Sequence, residues 1–136
     1  MRGEFRSPCC AVPWDEDFEL AEVPFRQQVR TVLRNLTRHV YIFGTAGGGY
    51  AVDEQQFDRI ARVFREETDR AEVHPMVGVI SLALSTIIGR IERVHAMGFR
   101  TFQLSLPSWG ALTDREVEVF LPKPVGVLAT AGFTLK

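Results

Sequence analysis

Val40-Tyr41-Ile42-Phe43 runs directly into Gly44-Thr45-Ala46-Gly47-Gly48-Gly49-Tyr50, and Asp53-Glu54-Gln55-Gln56-Phe57 follows two residues later. A short β-prone run, a glycine-rich stretch and a capped amphipathic segment read as strand, loop and helix in that order. Asp53 and Gln56 have the spacing of a capping box. Phe57, Ile60, Ala61 and Phe64 then recur at helical period, the inward stripe of that helix.

The same unit repeats on both sides. Upstream, Cys9-Cys10-Ala11-Val12 is a short buried run ended by Pro13. After a polar stretch, Pro24 suits a first helical turn, and Phe25, Val29, Val32, Leu33 and Leu36 form one apolar stripe. Downstream, Met76 to Ile80 is an apolar run broken only by Gly78, as in a strand covered on both faces. Ser85 or Thr86 is placed to cap a third helix carrying Ile87, Ile91 and Val94, with Gly98 as its stop. Thr101 to Leu106 reads as a fourth strand. Thr113 and Glu116 make another capping box, opening a helix with Val117 and Phe120. Four strand–helix units predict an α/β fold with a parallel sheet and right-handed crossovers. Periodicity leaves two architectures open: a small doubly wound sheet, or part of an eight-unit barrel.

From Leu121 the pattern changes. Residues 122–136 carry Pro122, Pro124, Gly126, Gly132, two lysines and no acidic residue. Val125 to Ala129 has the composition of a strand, but no helical stripe follows it. This stretch is read as an irregular tail outside the repeat, of the kind a truncation or a shifted reading frame leaves.

With 46% hydrophobic and 24% charged residues, the chain has globular rather than disordered composition. A net charge of -1 gives no electrostatic basis for a nucleic-acid or anionic-membrane partner. No apolar run reaches the roughly 20 residues that span a bilayer. The first residues, with Glu4 and no apolar segment after Arg2, do not read as a secretory signal. Adjacent Cys9 and Cys10 point to opposite faces of a strand and cannot readily bridge each other, so reduced thiols and a cytoplasmic location are expected. The arginines, scattered singly, read as solvated helix faces. His39 and His95 fall near helix C-termini and His74 before a strand, without ligand spacing, so no metal is expected. Asp15, Glu16, Asp17 and Glu19 read as a solvated loop.

Ligands of a parallel βα array sit at the carboxyl ends of the strands. Four loops qualify: Pro13-Trp14-Asp15, Gly44 to Gly49, Ser81 to Ser85, and Pro107 to Leu112. The glycine loop can present backbone N–H groups to an anion. It lacks a Gly-Lys-Ser/Thr step and dinucleotide-fingerprint spacing, which argues against a nucleotide. A plain tight turn explains the glycines equally well.

Gly44-Thr45-Ala46-Gly47, followed by Val52-Asp53-Glu54-Gln55-Gln56, resembles the Gly-Thr-Thr-Gly-Glu signature and downstream helix start of the dihydrodipicolinate synthase / N-acetylneuraminate lyase family. Pro13-Trp14-Asp15 resembles that family's Thr-Pro-Phe segment, and Gly78-Val79 with Ser85-Thr86 its third strand and helix start. Ala96-Met97-Gly98-Phe99 resembles its Leu-Gly-Ala step, and Leu106-Pro107-Ser108-Trp109 its Pro-x-Tyr segment. The resemblance covers about Arg2 to Leu121. It implies that residues 1–121 are the N-terminal half of a TIM barrel, about four βα units of a (β/α)8 barrel.

The resemblance also implies a function: a class I aldolase or lyase acting on pyruvate or another 2-keto acid through a lysine Schiff base, with no cofactor. Thr45, with Gly44, Ala46, Gly47 and Ser108, would bind the substrate. Ala46 replaces the second signature threonine, and Gly48 stands where the glutamate is usual. Trp109 takes the place of the catalytic tyrosine, and an indole N–H cannot shuttle a proton near neutral pH. Tyr50 could face the site, whereas Tyr41 reads as packing. The family's lysine lies on the sixth strand, while this chain has only Lys123 and Lys136, both beyond the repeat. It is therefore expected to be inactive alone. Two alternatives remain: a non-catalytic half-barrel that self-associates through open edges, and an anion-binding α/β module with Gly47 to Gly49 as its nest.

Overall fold

Cys9–Cys10 (β1), His39–Ile42 (β2), His74–Gly78 (β3) and Phe102–Gln103 (β4) form one parallel sheet in the order β1-β2-β3-β4. The computed structural model describes residues 7–106 and 110–130. Glu22–Asn35 (α1), Glu54–Thr68 (α2) and Leu84–Ala96 (α3) connect successive strands, and Asp114–Phe120 (α4) and Pro122–Thr130 (α5) follow β4. Strand order that equals chain order contains no reversal point. Right-handed crossovers then lay the connecting helices on one face, which makes a segment of barrel wall. A doubly wound sheet requires a reversal and is excluded.

Period two governs the strands. Along β2, Val40 and Ile42 are buried while His39 and Tyr41 are half-buried. Cys10, Ile42 and Val77 are register neighbours and form a buried row beneath the helices. Onto it pack Phe25, Val29 and Leu33 of α1, Phe57, Ile60, Ala61 and Phe64 of α2, and Ile87, Ile91 and Val94 of α3. Each fully buried valine, isoleucine or phenylalanine among them contributes about 1.5–3 kcal/mol. Phe57 stacks on Phe43 at 4.6 Å and Phe64 on Phe99 at 6.0 Å, so α2 is held at both ends. Leu36, expected in the α1 stripe, is 73% exposed, because the helix ends at Asn35 and its period no longer aims the next side chain inward.

Both expected capping boxes form. The Gln56 amide donates to Asp53 Oδ1 at 2.8 Å and the Asp53 amide to Gln56 Oε1 at 3.2 Å. The Thr113 amide donates to Glu116 Oε2 at 2.8 Å, and the Glu116 amide returns to Thr113 Oγ1 at 3.3 Å. The third helix begins earlier than its sequence suggests. Its N-cap is Ala83, without a side-chain cap, and Ser85 and Thr86 lie inside the first turn. Just upstream, the Ala83 amide donates to Ser81 Oγ at 3.2 Å, four residues before Ser85. Gly98, at a φ of 99°, ends the helix in the left-handed region as expected.

The tail departs from expectation. Pro122–Thr130 is helical, neither irregular nor a strand, and rests against α3. Its two prolines fall in the first turn, where backbone N–H groups lack intrahelical partners and a missing one costs little. Phe120 and Val127 pack against the core from this side. Among the described residues, no helix is long and apolar enough to cross a membrane.

Candidate functional site

Phe43 leaves β2 with a φ of 61°, a left-handed conformation rare for an aromatic residue. That twist sends its ring down onto Phe57 and turns its carbonyl towards Gly49 and Gly78, where a Cβ at either position would collide with it. The chain then folds back over β1. A Cβ on Gly44 would lie 2.5 Å from the Tyr41 ring, and one on Gly47 2.6 Å from Cys9 Sγ. Close packing thus accounts for four glycines around this turn.

Thr45–Gly47 is a 3-10 turn that leaves Thr45 and Ala46 exposed. The amides of Gly47 and Gly49 donate to the Gly44 carbonyl at 3.0 and 3.2 Å, and that of Gly48 to Thr45 at 3.3 Å. The three N–H groups considered for an anion nest are therefore spent inside the loop. The first amides of such a turn, those of Thr45 and Ala46, have no partner within it.

The carboxyl ends of β2, β3 and β4 open onto a cavity of about 650 Å³. Thr45, Tyr50, Val52 and Glu54 reach it from the segment after β2. Ile80 to Ala83, with Thr86 and Arg90 of α3, form the middle wall, and Ser105 and Leu106 come from the end of β4. Of Gly44, Thr45, Ala46 and Gly47, only Thr45 lines this cavity. Ser108 and Trp109 lie outside the described residues, as does Lys136. Lys123 is exposed on α5, in a separate shallow groove beside Phe120. Tyr50 stands at the cavity mouth, 71% exposed. Tyr41 is half-buried beside Cys9, and burial raises its phenol above the ordinary value.

Arg90 corrects the reading of the arginines as solvated. It is 4% exposed, in the cavity wall. Its guanidinium donates to the Ile80 carbonyl at 2.7 Å, the Val52 carbonyl at 3.1 Å and Glu54 Oε1 at 2.7 Å, while lying 4.6 Å over the Phe57 ring. One side chain thereby ties the loop after β2 to the loop after β3. Arg93 pairs with Glu54 and, at 2.7 Å, with Asp58. Partial burial works against the Glu54 carboxylate, but Arg90 and Arg93 outweigh it and hold its pKa below the usual carboxylate value. Arg26 and Arg30 likewise converge on buried Glu67, at 2.9 and 2.7 Å, joining α1 to α2. The signal for Arg90 was present: Ile87, Arg90, Ile91 and Val94 share one stripe at helical spacing, so the arginine sits where a core residue belongs.

The remaining candidates are structural. Asp15 accepts the Asp17 and Glu19 amides, each at 2.9 Å, and Glu19 pairs with Arg59 at 3.2 Å, so the acidic cluster is a self-capped turn. Both cysteines are free, and burial, then the neighbouring Cys9, pushes the Cys10 thiol up to about 12. His74 begins β3 rather than preceding it, and its ring stacks on that of its register partner His39 at 4.6 Å.

No family model matches the sequence, and no curated protein matches it. Solved structures do. Dihydrodipicolinate synthase from Bacillus clausii superimposes with a TM-score of 0.81 at 18% identity, over 90% of this chain and 41% of its own. N-acetylneuraminate lyase from Fusobacterium nucleatum, complexed with pyruvate, gives 0.81 at 17% identity, over 90% and 41%. A prophage protein of the dihydrodipicolinic acid synthase family from Escherichia coli, in complex with pyruvate, gives 0.82 at 13%, over 91% and 42%.

The fold is the N-terminal half of a dihydrodipicolinate synthase-type barrel. At such identities the likeness establishes architecture, and the chain spans about two fifths of the length of the structures it matches. In a barrel of this type the loops at the carboxyl ends of the strands build the site, and the cavity opens on that face.

Proposed function

We propose that this chain carries the carboxylate-holding part of a 2-keto acid site in a class I aldolase or lyase of the dihydrodipicolinate synthase / N-acetylneuraminate lyase type. The observation that carries this reading is Thr45, set by a 3-10 turn in the wall of a cavity at the carboxyl ends of three strands of such a barrel. Its hydroxyl offers a donor to a carboxylate. The pyruvate complexes of two structures sharing the fold support the same ligand chemistry.

Carbon–carbon lyase chemistry through a Schiff base needs a lysine amine that reaches the keto carbon. Lys123 lies on α5 and does not line the cavity. The chain by itself binds the keto acid without turning it over. The test is borohydride reduction of the chain with pyruvate, read by intact mass, beside a pyruvate titration followed by NMR. Binding without a covalent adduct, weakened about tenfold in Thr45→Val, is expected. An adduct mapped to Lys123 or Lys136 would overturn the inactivity, and unchanged binding by Thr45→Val would remove Thr45 from the site.

A second reading, self-association, is favoured by the sheet edges. Among the described residues β1 and β4 each pair with one strand, leaving backbone donors and acceptors along two parallel edges.

A further inference from the structure

We infer that the cavity selects a 2-keto acid bearing an apolar, ring-sized substituent, gripped by Tyr50, Leu82 and Leu106. This inference rests on the 2-keto acid reading and specifies the other end of the ligand. Tyr50 is 71% exposed, Leu82 61% and Leu106 45%, and all three line the one cavity. Single exposed apolar side chains are ordinary, but several meeting at a cavity mouth mark a contact surface. They come from three separate segments, after β2, after β3 and after β4, so their meeting is set by the fold and not by a local apolar run.

The rest of the lining has different chemistry. Thr45, Ser81, Thr86 and Ser105 supply hydroxyls. The charged residues of the lining, Glu54 and Arg90, bond to each other at 2.7 Å. A second acidic group on the ligand would find Arg90 already engaged by Glu54 and two backbone carbonyls. A polyhydroxylated chain would set part of its hydroxyls against Leu82 and Leu106 and the ring face of Tyr50, where they would lose water without a matching partner. An apolar substituent instead removes both its own surface and that of the three side chains from water. A volume of about 650 Å³ leaves ample room for a ring beyond a three-carbon acid.

The experiment compares pyruvate with phenylpyruvate, the same head with a phenyl group on C3, by ligand-observed NMR titration of the full chain. Phenylpyruvate is expected to bind about tenfold more tightly or better. In the double variant Leu82→Ser/Leu106→Ser the ratio of the two affinities falls towards one. Both positions are exposed, and a thermal melt matching the parent confirms the fold. Pyruvate binding with no preference for phenylpyruvate would overturn this inference and leave the keto acid site standing. Binding of neither ligand would remove the keto acid reading and this inference with it. A retained preference in the double variant, accompanied by an altered sedimentation coefficient, would show the rim to be an interface between copies and overturn it as well.

Discussion

Arg90 stands in the inward stripe of α3, between Ile87 and Ile91, and yet carries a full charge. A buried guanidinium is tolerated only when its donors are met, and here Glu54 and the carbonyls of Val52 and Ile80 meet them. The pairing has a pH signature. The Glu54 carboxyl titrates below its usual value in the folded state, so its contribution to stability is complete above the ordinary glutamate pKa of about 4.3 and fades as pH falls through the lowered folded value. Glu54→Gln resembles the protonated carboxyl. It is expected to lower stability at pH 7 by about 1.5 kcal/mol, the size of a hydrogen bond to a charged group. Urea melts of parent and variant should then converge as the pH drops below about 4. A gap that persists in acid would mean that packing, and not charge, is what the substitution removes.

At the scale of elements, α2 is the best-specified piece of the chain. Its cap and its four-residue stripe were readable from local spacing, and the stacking of Phe57 on Phe43 and of Phe64 on Phe99, which only the fold shows, agrees with them. Asp53→Ala removes the acceptor for the Gln56 amide and is expected to cost about 1 kcal/mol, seen as a lower urea midpoint with an unchanged slope. A cost near zero would show that the helix start is held by Arg90 through Glu54 and not by its own cap. The other helix ends were harder to read. Ser85 and Thr86 look like caps, but the chain enters α3 at Ala83, which has no side-chain cap, and Ser81 Oγ receives the Ala83 amide. Pro122 and Pro124 look like breakers, yet a helix accepts prolines in its first turn, and α5 finds an apolar seat against α3. Composition reports what a residue disfavours in a helix interior and is silent on where the helix begins.

Over the whole molecule, the helices cover one face of a four-stranded sheet whose two edges lie open among the described residues. For strands that are all parallel, a two-fold axis along the barrel direction would bring β4 of one copy beside β1 of another without reversing either strand. Sedimentation velocity on the 136-residue chain is expected to show dimers or larger species at micromolar concentration. A monodisperse monomer across that range would dispose of self-association through the edges.

The alternation of strands and helices, the inward stripes of α1 to α3, both capping boxes and the position of the glycine loop follow from local spacing alone. Looking for a site at the strand ends likewise rests only on parallel βα order. Strand order was not legible, because a period of two reports which face is buried and not which strand lies alongside. Tertiary structure decided for a barrel wall over a doubly wound sheet. It also placed Arg90 between two loops, spent the amides of Gly47 to Gly49 within their own turn, and gathered Tyr50, Leu82 and Leu106 at one mouth. These outcomes depend on residues far apart in the chain meeting in space, and the pattern of any one segment carries no record of its distant neighbours.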